Sequence, residues 1–201
     1  MGGAKIKTKL PLLENLLKSA KYILVGGVLA NNFLAAAGFK VGKSLADKEE
    51  MGLAKKLLDK NKKKIILPID VAVSDASAGS AQKVKIKNVN KVGRDDIILD
   101  IGPSTIKLFA KFIKEARTIV WNGPMGMFEA EHFRHGTLSM ARVIASRSRG
   151  AAFGVVGGGE TIEALKMTKM AEYVDWISTG GGAMLAYLGG EKMPGLEEIA
   201  K

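Results

Sequence analysis

The chain has 201 residues, of which 47% are hydrophobic and 25% are charged, and its net charge is +11. This composition supports a large core and excludes extensive disorder. The longest apolar runs, 22–29 and 151–156, are shorter than the about 20 residues of a membrane-spanning helix. The chain has no cysteine, which excludes disulfides and thiolate ligands. We expect a cytoplasmic protein without a signal peptide.

Apolar periodicity predicts alternating helices and strands along the chain. Helices are predicted at 10–18, 28–37, 47–59, 103–115, 137–147, 161–170 and 183–188. Strands are predicted at 22–25, 65–67, 69–73, 84–86, 97–100, 118–121 and 153–156. Asp47 is the expected N-cap of the third helix, with Glu50 completing a capping box.

A strand, a glycine turn and a helix follow one another about five times, which is typical of a doubly wound parallel sheet. We therefore predict an α/β fold of the Rossmann-like, three-layer αβα type. No segment is rich enough in Pro and Ser to be a linker, so residues 1–201 are expected to form a single domain.

Three glycine-dense turns lie between predicted strands and predicted helices, at 26–27, 157–161 and 178–183. Glycine lacks a Cβ, so an anion can approach the backbone closely there. A helix N-terminus adds unpaired N–H groups and partial positive charge. Because ligands bind beyond the carboxyl ends of parallel strands, the three turns together indicate a polyphosphate site.

Two other motifs are better explained without a function. Residues 37–44 nearly match a P-loop, but a P-loop leaves a strand and enters a helix at its Lys-Ser pair, whereas here a helix ends at Gly38. His132 and His135 lie three residues apart, but no cysteine or carboxylate cluster completes a metal site around them. A solvated loop is the better interpretation of the two histidines.

The segment 121–129 places Asn122 at the end of a predicted strand, followed by a Gly-Pro turn, a small apolar patch and Glu129. An apolar patch beside one carboxylate suits a purine nucleoside, because the acid can accept hydrogen bonds from the ribose. An ordinary turn with Met127 and Phe128 in the core explains the same pattern equally well.

Two further pairs of residues have both a functional and a structural interpretation. Glu160 and Thr161 begin a predicted helix, where they either cap it or bind a phosphate and its magnesium ion. Lys5 and Lys9 lie on one face if their segment is helical, but a solvated basic N-terminus is common.

The positive charge itself allows three interpretations: nucleic-acid binding, a site for small anionic metabolites, or a solvated basic surface. Much of the excess is lysine, as in 60–64 at the end of a predicted helix, where cations suit the helix dipole. Aromatic residues are only 6% of the chain and do not alternate with the basic runs. Nucleic-acid binding is therefore the least favoured of the three.

Taken together and in this order, the segments resemble the C-terminal, nucleotide-binding lobe of phosphoglycerate kinase. The resemblance covers essentially the whole chain, and its most specific strings are WNGP at 121–124 and STGGGA at 178–183. It also includes 2–9, 26–27, 67–75, 100–103, 157–161 and 193–195. That family transfers phosphoryl between 1,3-bisphosphoglycerate and Mg-ADP in glycolysis, so the resemblance implies ADP or ATP with Mg²⁺ as cofactors.

The resemblance also implies a role for each matching residue. The adenosine pocket would be formed by Gly2, Gly3, Gly26, Gly27, Leu99, Pro124 and Met127, with Glu129 on the ribose. The nucleotide phosphates would contact Asn122, Gly158, Gly159 and Thr161, and Glu160 would bind the magnesium ion. The catalytic set would be Lys5, Lys9, Gly181 and Gly182, and Gly180 would add a backbone donor. Phosphoryl transfer depends on alignment and positive charge more than on a covalent nucleophile, which fits these residue types.

The sequence departs from the family pattern at two positions. Glu160 stands where the family usually has Asp, which lengthens the side chain by one methylene, and we expect magnesium binding to survive this change. Thr8 stands where the family often has Asp, which makes that segment more basic.

These residues do not include the family's N-terminal lobe, which binds 3-phosphoglycerate. We expect that lobe to be a partner, and we expect neither a membrane nor nucleic acid to be one. Alone, the chain is expected to bind nucleotide weakly, to have negligible kinase activity and to have either an unpaired sheet border or a displaced N-terminus. The alternatives are a non-catalytic nucleotide-binding or interaction module on the same fold, and a basic polyanion binder.

Overall fold

The computed structural model describes residues 1–75 and 83–199. The helices in this part are α1 (Ile6–Ser19), α2 (Gly27–Ala36), α3 (Met51–Lys60), α4 (Pro103–Glu115), α5 (His135–Ser148), α6 (Gly159–Met167), α7 (Gly181–Leu188) and α8 (Pro194–Ile199). The strands are β1 (Ile23–Leu24), β2 (Ile65–Ile66), β3 (Asp70–Ser74), β4 (Lys85–Asn88), β5 (Ile97–Ile101), β6 (Thr118–Asn122), β7 (Phe153–Gly157) and β8 (Trp176–Ser178). None of these helices has the length and hydrophobicity needed to cross a bilayer.

The strands form two parallel sheets and one antiparallel sheet. β1 pairs with β2, and β6, β7 and β8 pair in that order, with Asn122 opposite Gly157 and Gly157 opposite Ser178. The carboxyl ends of these three strands therefore lie side by side, and α6 and α7 start just after two of them. The predicted α/β class with parallel strands between helices is confirmed.

The antiparallel sheet, in the order β4-β3-β5, was not predicted. Its central strand β3 is buried along its whole length, whereas β4 exposes three of its four residues. The strand expected in the region 84–86 is present at Lys85–Asn88, but the expected alternation of a buried Val84 and Ile86 with solvated lysines is wrong: Ile86 is 52% exposed, whereas Lys87 is partly buried and pairs with Asp96.

In the described residues, β1 and β6 are not paired with each other. The α-amino group of Met1 donates to the carbonyl oxygen of Leu24, and the N–H of Gly2 donates to the carbonyl oxygen of Asn122, both at 2.9 Å. Beyond these two contacts, a cleft of about 660 Å³ separates the strands. The expected unpaired sheet border is present at this position.

Two apolar clusters form most of the core. One packs Trp121 of β6 against Met140 and Ile144 of α5, and the other packs Leu13 of α1 against Phe33 of α2. The helical members of each cluster lie on one helix face, because residues three or four apart share one face.

The predicted N-cap at Asp47 is wrong. α3 begins at Met51, and its N-cap residue Glu50 makes no side-chain capping bond. Asp47 instead accepts a hydrogen bond from the N–H of Glu49 at 3.0 Å in a local turn. Asp47 is also bound to a neighbouring helix, since its N–H donates to Asn32 Oδ1 at 2.8 Å.

Several predicted boundaries also move. α1 begins at Ile6 instead of residue 10, and α6 and α7 each begin two residues earlier than predicted, at Gly159 and Gly181. The strand expected before the glycine turn 178–183 is β8, whose bounds were not predicted because its three residues are too short a run to show an alternating pattern.

Candidate functional site

A cavity of about 280 Å³ lies between the start of α2, strand β5 and the loop 123–129. Its wall is mainly apolar and includes Val28, Leu34, Val71 and Ile98. Seven of the predicted site residues line it: Gly3, Gly27, Leu99, Pro124, Met127, Glu129 and Glu160. An apolar cavity with a few polar groups at its rim is the usual form of a small-molecule site.

Three backbone segments cross closely at the base of this cavity. Gly27 lies at φ +62°, where glycine is favoured, and a Cβ there would lie 2.6 Å from the nitrogen of Gly3. The N–H of Gly27 donates to Met125 O and the N–H of Gly3 donates to Pro124 O, both at 2.8 Å. The glycine pairs predicted from the sequence therefore allow the chain to pack backbone to backbone.

The other glycine of each pair lies beneath the cavity. A Cβ on Gly2 would contact the carbonyl oxygen of Pro124, and a Cβ on Gly26 would contact the sulfur of Met125. Gly2 and Gly26 are both buried, and neither lines the cavity. They shape the site by allowing the loop to pack closely against them.

The loop 123–129 is held by a buried threonine on α5. The N–H groups of Met125 and Gly126 reach Thr137 Oγ1 at 3.0 and 3.3 Å. The N–H of Met127 donates to the carbonyl oxygen of Leu99 at 2.7 Å. These bonds place Met127 and Glu129, both exposed, at the rim of the cavity.

Asp100 is a buried carboxylate in the wall of the same cavity. It accepts hydrogen bonds from the N–H of Ile101 at 2.8 Å and from the N–H of Gly136 at 2.6 Å. Burial raises the pKa of Asp100 to about 7, although the two backbone donors oppose the change. Asp100 thus binds the start of α5 to β5 and fixes one wall of the cavity.

Asn122 and Thr161 are both buried and already hydrogen-bonded within the protein. Asn122 Nδ2 donates to the carbonyl oxygen of Gly157 at 2.8 Å, and Thr161 Oγ1 accepts from the N–H of Gly123 at 2.7 Å. In this conformation, neither residue lines the cavity.

The N-termini of α6 and α7 lie against each other beside the cavity. A Cβ on Gly181 would contact the backbone of Gly158, so the close approach depends on glycine. Gly159, Gly180 and Gly182 are exposed. Because the first N–H groups of an α-helix have no acceptor within it, both ends can donate to an anion.

Lys5 and Lys9 differ in their surroundings. Lys5 is exposed, whereas Lys9 points inward and its Nζ donates to the carbonyl oxygen of Gly2. The pKa of Lys9 is lowered to about 8, mainly by burial, with Glu160 opposing the change and the charge of Lys5 adding to it. Lys9 is therefore a poorly solvated cation close to Glu160.

The described residues contain no group of three or more His, Cys, Asp or Glu that could hold a metal ion alone. Glu160 is nevertheless an exposed carboxylate at the cavity rim and at the N-terminus of α6. Magnesium commonly takes one or two protein carboxylates together with substrate phosphates, so this residue fits a nucleotide-bound Mg²⁺.

Sequence reasoning missed three residues of the site, namely Asn31, Asp100 and Thr137. None belongs to a glycine turn or to a charged pair with recognisable spacing. Buried polar residues within apolar helical or strand patterns are the signal that could have identified them.

A family model described as "Phosphoglycerate kinase" matches residues 1–191. The chain belongs to the phosphoglycerate kinase family. A phosphoglycerate kinase of Desulfovibrio desulfuricans is 45% identical over 202 residues, which cover 99% of this chain and 51% of that protein. The chain thus spans about half the length of the curated phosphoglycerate kinases that it matches.

Solved structures of phosphoglycerate kinases share the fold. The Coxiella burnetii enzyme superposes with a TM-score of 0.91 at 40% identity, over 98% of this chain and 50% of that one. The Pyrococcus horikoshii enzyme gives a TM-score of 0.83 at 33% identity, over 98% of this chain and 49% of that one.

Proposed function

We propose that this chain is the ADP- and ATP-binding lobe of a cytoplasmic phosphoglycerate kinase that acts in glycolysis. The observation that carries the proposal is the apolar cavity with Glu129 and Glu160 at its rim, next to the N-termini of α6 and α7. One feature suits each part of an adenine nucleotide: apolar walls for the base, a carboxylate for the ribose and helix ends for the phosphates.

The base would lie between β5 and the start of α2, where Leu34, Val71 and Ile98 form the wall. Glu129 would accept hydrogen bonds from the ribose hydroxyl groups, since an ionised carboxylate is an acceptor only. Its exposed position at the rim leaves it free to do so.

The phosphates would extend from the rim towards the N-termini of α6 and α7, where Gly159 and Gly182 are exposed. Lys5 would add positive charge, and Lys9 would do so by leaving the carbonyl oxygen of Gly2. Asn122 and Thr161 hold the loop and helix ends in place through their internal hydrogen bonds, and the second amide N–H of Asn122 and the hydroxyl O–H of Thr161 would donate to phosphate.

Glu160 would hold the magnesium ion of the nucleotide, and that ion would neutralise charge on the phosphates. The rest of the proposed chemistry belongs to this chain's own groups. The N–H groups at the start of α7 and the two lysines would stabilise negative charge on the transferring phosphoryl group.

The second substrate, 3-phosphoglycerate, would bind to the N-terminal lobe of the family, which these 201 residues do not include. This chain corresponds to about half the length of its relatives, so we propose that it binds nucleotide but turns over negligibly by itself. In the alternative, a non-catalytic nucleotide-binding module on the same fold, the chain would stay inactive even with that lobe added.

Calorimetric titration with ATP in the presence of Mg²⁺ tests nucleotide binding. Met127→Glu places a negative charge beside Glu129 at the rim and should weaken ATP binding at least about tenfold, by charge repulsion. Met167→Glu is the matched control, since Met127 and Met167 are 45% and 42% exposed and Met167 does not line the cavity. Equal effects of the two substitutions would contradict the proposed site.

A further inference from the structure

The cleft of about 660 Å³ between β1 and β6 is bordered by a strand edge on each side. Residues 22–24 line one side and residues 118–121 line the other. β1 pairs in parallel with β2, and β6 pairs in parallel with β7, both on the side away from the cleft. Within the described residues, each strand therefore has one edge free, and a free edge is a template for pairing with another chain.

The hydrogen bonds of β1 and β6 show which backbone groups face the cleft. The N–H groups of Ile23 and Val25 donate on the β2 side, at 2.8 and 3.1 Å. Because alternate residues of a strand direct their backbone groups to opposite sides, those of Leu24 face the cleft. The carbonyl oxygen of Asn122 accepts from the N-terminal residues, and Val120, two positions earlier in β6, faces the same side.

Met1 and Gly2 occupy one end of a strand position between β1 and β6. The α-amino group of Met1 donates to Leu24 O and the N–H of Gly2 donates to Asn122 O, both at 2.9 Å. The carbonyl oxygen of Met1 accepts from the N–H of Gly26, also at 2.9 Å. These two residues thus run parallel to both neighbours and bond to both, as a central strand does. The rest of the same strand position is the cleft, which Met1 also lines.

Apolar residues of the two main core clusters line the cleft. Phe109 and Ile144 belong to the cluster around β6, and Leu16 packs against the cluster around α1. A strand in this position would thus have apolar neighbours on both faces, and such strands consist of nearly continuous apolar residues. β6 has five residues, so the cleft suits an extended apolar segment of about that length.

We propose that this cleft binds the C-terminal end of a second polypeptide as an apolar strand of about five residues, parallel to β1 and β6. The docked strand has to end there, because Met1 and Gly2 already occupy the continuation of its path. Its backbone would pair with both free edges, and its side chains would fill the apolar space. The inference concerns a different surface from the nucleotide cavity and does not depend on the proposed function.

The first test is a fluorescence titration of the full chain carrying Trp176→Phe. Trp121 lines the cleft and is then the single tryptophan, because the chain has two and Trp176 is the other, 63% exposed. The probe is a synthetic peptide that ends in Val-Ile-Val-Ile-Val and carries an acidic N-terminal tag for solubility. We expect a saturable change in the emission of Trp121.

Two altered peptides test the mode of binding. Proline at the central position of the apolar run removes a backbone donor and should weaken binding at least about tenfold. Six polar residues added after the apolar run should also weaken binding, since the longer chain would meet Met1 at the end of the cleft.

Hydrogen exchange followed by NMR locates the bound peptide. The N–H groups of Leu24 and Val120 should exchange at least about tenfold more slowly when the peptide is bound, because they gain an acceptor. Ile23 and Val25 are the internal controls, and their N–H groups should slow less because both are already hydrogen-bonded.

No binding of the first peptide would overturn the inference, and so would equal binding of either altered peptide. Binding without the added protection of Leu24 and Val120 would also overturn it, since the peptide would then lie elsewhere. A third contrary result is protection of these two groups that rises with protein concentration in the absence of peptide, together with dimers in sedimentation. A second copy of the chain would then fill the cleft.

Discussion

The side-chain oxygen of Thr161 accepts a hydrogen bond from the N–H of Gly123 at 2.7 Å, and this bond links the start of α6 to the loop that carries Glu129. The two residues are 38 positions apart in the chain, and both are buried. The bond therefore couples the two parts of the proposed site that would hold the ribose and the phosphates.

Replacing Thr161 by Val should destabilise the protein, because the buried N–H of Gly123 would lose its acceptor. An unsatisfied buried donor costs roughly 1–3 kcal/mol, so urea unfolding should report a loss of that size. Thr161→Ser retains the hydroxyl and should lose much less. A Val variant as stable as the Ser variant would show that the bond contributes little.

Glu129→Gln should weaken ATP binding by about tenfold or more, because a charged acceptor of the ribose hydroxyls becomes neutral. The effect should be absent with 2′,3′-dideoxy-ATP, which has no hydroxyl groups for Glu129 to bind. Glu131→Gln is the control, since Glu131 is also exposed but does not line the cavity. Equal losses for both nucleotides would remove Glu129 from the ribose site.

Nucleotide binding should be accompanied by proton uptake near pH 8.5. Burial lowers the pKa of Lys9 to about 8, so much of it is uncharged at that pH, and a nearby phosphate would raise the pKa again. Calorimetry in buffers of different ionisation enthalpy measures the uptake. It should disappear in Lys9→Met and persist in Lys7→Gln, because Lys7 is exposed and pairs with Glu49. Uptake that persists in Lys9→Met would assign the proton to another group.

The stability of the protein should contain a pH-dependent contribution from Asp100. Burial raises its folded-state pKa from 3.8 to about 7, so the folded state binds the proton more tightly than the unfolded state. The contribution is fully present below about pH 4 and is lost as the pH rises through about 7.

Asp100→Asn removes this titration. The quantity to compare is the free energy of unfolding of the unmodified chain minus that of the variant. This difference should be smaller at pH 8 than at pH 5.5. The change should be a few kcal/mol at most, since each pKa unit corresponds to about 1.4 kcal/mol. Urea unfolding at both pH values gives the four free energies needed. A difference that does not change with pH would mean that Asp100 titrates normally.

Much of the fold was predictable because its determinants are local. The boundaries of α4 follow directly from Pro103 at its first turn and from its apolar stripe, and the prediction of 103–115 is confirmed. The antiparallel sheet could not be predicted in this way, since pairing between β3 and β5 depends on contacts distant in sequence.

The residue that caps α4 could not be predicted either, because it is distant in the sequence. The carboxylate of Asp70 accepts from the N–H groups of Ser104 at 2.9 Å and Thr105 at 2.7 Å, and so caps α4 from more than 30 residues away. Capping rules read only neighbouring residues, so they cannot identify such a partner.

Part of the candidate site was also predicted from local patterns, and part was not. The glycine turns and Glu129 were recognisable, because close backbone approach and a lone carboxylate have local signatures. Asn31 and Thr137 were not, because each acts through a contact formed only in the folded chain. Asn122 and Thr161 were expected to contact phosphate, and that expectation stays a prediction beside their observed internal hydrogen bonds.

The most direct test of the nucleotide site is a crystal structure of this chain soaked with Mg-ATP. We expect the base in the apolar cavity beside Leu99 and Met127, the ribose on Glu129, and the phosphates at the N-termini of α6 and α7. An empty cavity with the nucleotide bound elsewhere on the protein would contradict the proposed site.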